Sequence, residues 1–276
     1  MFRLSVMYFF LGLTTPSVKW SEFGIFNSST KYSPFFIYRL LRHIVVLCIV
    51  GFFSIFNVVY AGSEQLFGTW GNVFINGQFA KDSNWIYYMD VSIRSSQTHQ
   101  NSNGGQGYVF ASAVTHDAIG YQFDQMNSVL VGYAFQVSEP PYAGTDTYEN
   151  RTWQQYLNVY KTQSLGVFQN RSRFEQRTIT SSLSGTALRW RQQLKWVYPV
   201  SPDWSFVASD EFFANMNTVS WGPAAGFNQN RLFVGAGYRF DKTYRTEFGY
   251  MNQYVNRGLV DDLIGHLLSL NLYIDI

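Results

Sequence analysis

Between residues 65 and 276 the chain sets apolar or aromatic residues at alternate positions, in stretches of ten or more residues. Side chains of an extended strand point to opposite sides in turn, so a period of two makes a ribbon with one apolar face, whereas a helix needs a period near 3.6. In Arg231–Phe240 the positions Leu232, Val234, Ala236, Tyr238 and Phe240 form one face, and Arg231, Phe233, Gly235, Gly237 and Arg239 the other. Val129, Val131, Tyr133, Phe135 and Val137 repeat this, as do Trp85, Tyr87, Met89, Val91 and Ile93 and the C-terminal Leu268, Leu270, Leu272, Ile274 and Ile276. Eleven runs can be delimited, near 65–79, 83–98, 108–122, 128–138, 149–160, 166–179, 186–199, 203–217, 228–240, 243–255 and 266–276.

A soluble antiparallel sandwich also alternates, but it rarely spends its apolar face on Trp and Tyr near strand ends. Here 19% of residues are aromatic and 14% charged, against about 25% charged in an ordinary soluble domain. Trp and Tyr favour a lipid headgroup zone, where the ring is buried and its polar atom stays wet. Trp190 and Tyr198, eight residues apart, would be separated by about 20 Å on a strand tilted by about 40°. The expected fold is therefore all-β, a transmembrane antiparallel barrel of the outer-membrane type. The connections Ala80–Asn84, Phe123–Asn127, Lys161–Leu165, Val200–Asp203 and Asp241–Lys242 are short, and the intervening ones are longer and rich in Gly, Ser, Asn and Pro. Short turns belong to the periplasm and long loops to the exterior. This orientation ends the last run in the periplasm but sends the first run the wrong way, so ten or twelve strands are expected, an even count.

Residues 35–61 read as a signal peptide: Arg39, Arg42 and His43 precede an apolar stretch from Ile44 to Tyr60, and Val59 and Ala61 fit a small-residue cleavage pattern with the cut at Ala61. An uncleaved anchor helix is the alternative. Residues 1–34 form an N-terminal extension, either a long basic zone or sequence upstream of the true start, and 62–276 the barrel. The stretch Ile44–Tyr60 is the one long apolar stretch, which argues against a helical transporter. The one cysteine, Cys48, lies inside it and lacks a small residue directly before it, so neither a disulfide framework, a thiolate metal site nor lipidation is expected. A net charge of +2 without a basic reading module excludes nucleic acid as a partner.

Alternation places Arg171, Arg173, Glu175 and Arg177 on one face of one run and Arg189, Arg191 and Lys195 on one face of the next. A Lys or Arg facing lipid at the midplane costs about 2–4 kcal/mol, so these side chains should point inward. Asp90, Arg94, Glu211, Arg231, Arg239, Arg245 and Glu247 follow by the same rule, while Asp210, Gln192 and Asn252 fall on the lipid face. Two readings of the lumen stand: a cross-strand network that neutralises and fills a narrow barrel, or a basic constriction that selects anions.

The series R-x-R-x-E-Q-R (Arg171, Arg173, Glu175, Gln176, Arg177), Arg189-Trp190-Arg191 with Leu194, Asp210-Glu211 with Phe213 and Asn215, and Asn228-Gln229-Asn230-Arg231-Leu232-Phe233 runs in order along the chain. It continues through Gly235, Gly237-Tyr238-Arg239-Phe240, Gly249-Tyr250-Met251-Asn252-Gln253-Tyr254 and His266 with Leu268-Ser269-Leu270-Asn271. At these motifs the sequence resembles an uncharacterised bacterial family of predicted outer-membrane barrels, catalogued as domain of unknown function twenty-four ninety. The resemblance covers roughly residues 65–276, excludes the first 34, and implies fold and location without a chemical role.

No enzyme is expected. His99, His116-Asp117 and Asp261-Asp262 with His266 are the residues to weigh for a hydrolase of lipid or peptide at the outer rim, but neither G-x-S-x-G nor H-E-x-x-H occurs. The expected role is structural or passive permeation, without a cofactor or metal. Its partners would be outer-membrane lipid, the export and barrel-assembly machinery, and small anionic solutes.

Overall fold

The structure is a computed structural model, and it describes residues 63–98, 107–180, 185–222, 224–258 and 261–276. The extension 1–34, the expected signal peptide 35–61 with its cut at Ala61, and His99 lie outside these residues. Eleven strands follow in chain order: β1 (Ser63–Gln78), β2 (Trp85–Thr98), β3 (Gly107–Gln122), β4 (Asn127–Ser138), β5 (Thr147–Lys161), β6 (Val167–Ile179), β7 (Ala187–Pro199), β8 (Trp204–Asn215), β9 (Gly226–Arg239), β10 (Tyr244–Val255) and β11 (Asp262–Asp275). The expected run edges agree to within three residues, except that β11 begins four residues early. Gly265 and His266 interrupt the apolar alternation there, while the backbone pairing continues through them.

The strands form one closed barrel. Each pairs antiparallel with its chain neighbour, and β1 closes on β11 in parallel, with Ser63 beside Asp262 and Asn76 beside Asp275. The count of ten or twelve is thus corrected to eleven. An even number is required only when every pair is antiparallel; one parallel pair admits an odd number and lets the first strand run in the direction that had seemed wrong. The seam is held by its ladder and by Asn72 Nδ2 donating to Asn271 Oδ1 at 2.6 Å.

Moving from partner to partner round the barrel, from Gln78 through Ile86, Gly120, Leu130 and Gln155 and on to Leu263, returns to Glu64, fourteen residues back along β1. With about 3.3 Å per residue and about 4.8 Å between strands, that stagger gives a tilt of about 41° and a backbone diameter of about 22 Å. The first strand begins at the rim of the long connections, and the chain ends at the rim of the short ones.

Outward positions are apolar, as in Ile93, Val131, Leu194 and Leu268, which are 56–66% exposed. Aromatic residues gather at the short-connection rim, where Trp85 packs on Tyr121, Tyr121 on Phe123, Trp196 on Tyr198 and Trp204 on Tyr238. The outward polar residues pair among themselves: Asn230 Nδ2 donates to Asp210 at 2.6 Å, Gln192 to Asn170, and Asn252 to Tyr250 at 3.3 Å. Strand bulges fall elsewhere, at Arg94/Ser95 and Phe213/Ala214.

Candidate functional site: a cationic lumen

The inward face of β5 carries Glu149, Arg151, Trp153 and Gln155, and β6 and β7 continue the wall with Arg171, Arg173, Glu175 and Arg177 and with Arg189, Arg191 and Lys195. Three acids gather most of these cations. Glu149 takes both Arg177 (Nε 2.5 Å, Nη2 2.9 Å) and Arg151 Nε at 2.5 Å. Glu175, wholly buried, takes Arg189 Nη2 at 2.5 Å and Arg191 Nη1 at 2.7 Å. Glu211 accepts from Arg191 Nη2 and Arg171 Nη2, each at 2.7 Å, with Arg231 3.8 Å away. Six cations thus share three carboxylates, an arrangement that leaves positive charge over.

Toward the short-connection rim the balance is closer: Lys195 Nζ lies 2.6 Å from Glu247, and Arg245 lies 3.4 Å from both Glu247 and Asp275. Arg239 sits at this rim, where it donates to the Pro202 carbonyl. Asp90 accepts from the Tyr88 hydroxyl and pairs with His116 Nδ1 at 2.9 Å. Arg94 and Arg173 have no carboxylate within ion-pair distance among the described residues; Arg173 Nε donates to Gln155 Oε1 at 2.9 Å and its Cζ lies 4.1 Å from the centre of the Trp153 ring. A ring face attracts a cation but accepts none of its edge donors.

Between these walls lies a cavity of about 850 Å³, lined at one rim by Gln78, Gln122, Asn127 and Ile276 and at the other by Tyr142, Gly222, Asn256 and Arg257. Arg94, Arg171, Arg173, Arg191, Arg231, Lys195 and Arg245 all reach it.

The sequence reading missed Glu149 and Arg151, although the same alternation that selects Glu175 selects them. Tyr142 comes from the β4–β5 connection, where no periodicity marks it. The hydrolase candidates are not brought together. His116 faces Asp90 across β2 and β3, whereas Asp117, its chain neighbour, is exposed on the outer face. His266 stacks on Phe67 (4.9 Å between ring centres) and bonds Tyr250 at 2.6 Å on the outside, and Asp262 accepts from Tyr254 and from the Arg257 amide. Among the described residues, no cluster of three or more His, Cys, Asp and Glu is arranged to hold a metal.

Fold and site together define a closed all-β barrel with a charged interior. The family model described as "Protein of unknown function (DUF2490)" matches residues 67–262, and the chain belongs to that family. It is also similar to an uncharacterised protein of Methylorubrum extorquens, at 29% identity over 165 residues, which is 58% of this chain and 71% of that protein.

Proposed function

We propose that the chain is an integral outer-membrane barrel, exported by its N-terminal signal segment, whose lumen passes small anions. The observation that carries this is the cavity lined at both rims, between walls richer in arginine than in carboxylate. A ring of cations lowers the cost of an anion in a narrow pore and raises it for a cation. Membrane residence is supported by the apolar outer face and by the rim of packed Trp and Tyr. Trp190 and Tyr198, both on the outside of β7, stand about 20 Å apart along the barrel axis, close to the height of such an apolar band.

The ion pairs favour a second role for the same charges, which is to hold the walls. Both readings apply, because paired arginines fill the wall while the surplus sets the potential. The test is conductance of the purified chain in planar bilayers, with anion-to-cation selectivity recorded before and after Arg173→Gln. Anion-selective openings that lose selectivity in the variant are expected. A folded barrel that never conducts, or a chain that stays soluble without detergent, would overturn the reading.

A further inference from the structure

In the lumen, on the side of the long connections, guanidinium groups and aromatic rings alternate in one stack. Arg94 Cζ lies 4.4 Å from the ring centre of Tyr142 and 3.9 Å from that of Trp70. Arg231 Cζ lies 4.6 Å from Trp70 and 4.6 Å from Phe213, whose ring is also 4.6 Å from Arg191 Cζ. Arg94 reaches Trp70 from β2, on one side of β1, and Arg231 reaches it from β9, beyond β11 and β10 on the other. Two cations therefore flank one indole.

Stacking engages the flat faces of a guanidinium and leaves its N–H edge unsatisfied. Arg94 is 6% exposed, and among the described residues neither its Nε nor that of Arg231 has an acceptor. Arg231 Nη1 lies 3.8 Å from Glu211 Oε2, beyond hydrogen-bond reach, while Arg171 and Arg191 share the other oxygen, Oε1. Ser96 Oγ, two residues along the strand from Arg94, is also buried without a partner among the described residues. Like charges this close to one another, desolvated and with idle donors, are costly unless an anion completes them. Both arginines line the cavity.

We propose that Arg94 and Arg231, with Trp70 between them, bind a small dianion bearing two oxyanion groups of phosphate or carboxylate type, one at each guanidinium edge. The planar fork of arginine matches such groups with paired hydrogen bonds, a geometry that chloride cannot use. The site rests on the cationic-lumen reading and assigns its selectivity to one step of the wall.

The test is calorimetric titration of the full chain in detergent with pyrophosphate, succinate and chloride at constant ionic strength, on the parent, R94Q, R231Q and, as a comparison that also removes a positive charge, K242Q in the exposed β9–β10 turn. Saturable binding of one pyrophosphate or succinate per chain is expected, at least tenfold tighter than chloride, weakened at least tenfold in R94Q and R231Q and unchanged in K242Q. Absence of saturable binding to the folded parent, or equal affinity for chloride, overturns the site. Should R94Q or R231Q fail to fold, R94K and R231K keep the charge but lose the fork; unaltered dianion affinity in both also overturns it. Bilayer recordings on the same preparation separate the two proposals. Anion-selective current without saturable binding removes this site alone, and binding without current removes permeation alone.

Discussion

At the scale of single residues, the lumen depends on a few shared acids. Glu175 is wholly buried between Arg189 and Arg191, and removing it would leave two buried cations facing each other. Glu175→Gln is expected to lower the unfolding free energy by about 3–5 kcal/mol, the usual cost of breaking a buried pair from one side, measured as the shift in denaturant midpoint in detergent. In the β3–β4 turn, hydrogen bonds from the Asn127 side chain and the Met126 amide hold the exposed Asp124 carboxyl below its ordinary range. A depressed folded-state value means that the turn's contribution is complete above the ordinary aspartate value and is lost as pH falls through the lowered one. A carboxyl NMR titration should find Asp124 below 3.8, its ordinary value; a value at or above that would contradict the turn's hydrogen bonding. Alternation made the membership of the charged face legible, because it fixes the side to which each residue points. It did not reveal which arginine meets which acid, since that depends on the stagger between strands, which no single strand encodes.

At the scale of elements, glycines mark where the wall leaves no room. A Cβ on Gly132 of β4 would run into the Trp153 ring and the Asp117 carbonyl, whereas one on Gly71 of β1 would meet nothing. Gly132→Val is expected to destabilise by about 1–3 kcal/mol through overpacking, and Gly71→Val to stay within about 0.5 kcal/mol. Equal unfolding midpoints for the two variants would disprove the assignment of inner and outer faces on these strands. Trp153 packs with Leu130, Ala134 and Ala118 in the buried apolar cluster, so small residues facing one large ring set the local wall thickness. Strand positions were readable from the period, yet the start of β11 was not. Its pairing through Gly265 and His266 is dictated by the strands on either side rather than by apolar content.

At the scale of the whole molecule, the parallel closure sets the odd strand number and the direction of β1. Thr69 and Leu268 are direct partners across it, and adjacent strands about 4.8 Å apart lie within disulfide reach. In a Cys48→Ser background, the pair Thr69→Cys and Leu268→Cys should oxidise to an intrachain crosslink seen as a mobility shift without reductant. The pair Thr69→Cys and Leu272→Cys, displaced by about 13 Å along the strand, should not. The reverse pattern would refute the register. Nothing in the sequence announced the seam, because parallel and antiparallel strands of a barrel share the same alternation.

The seam also dictates the order of assembly. It joins Asn72 to Asn271, 199 residues apart in sequence, whereas every other strand pairs with its immediate neighbour. Hairpins form early because their loop-closure entropy is small, and so remote a contact forms late. Until β11 arrives, both edges of the sheet present unpaired backbone, the surface on which strands of other chains add. A chain clipped within β11 would keep ten strands and both edges, and it should sediment as aggregates, while a nick in a long connection should leave the cylinder shut.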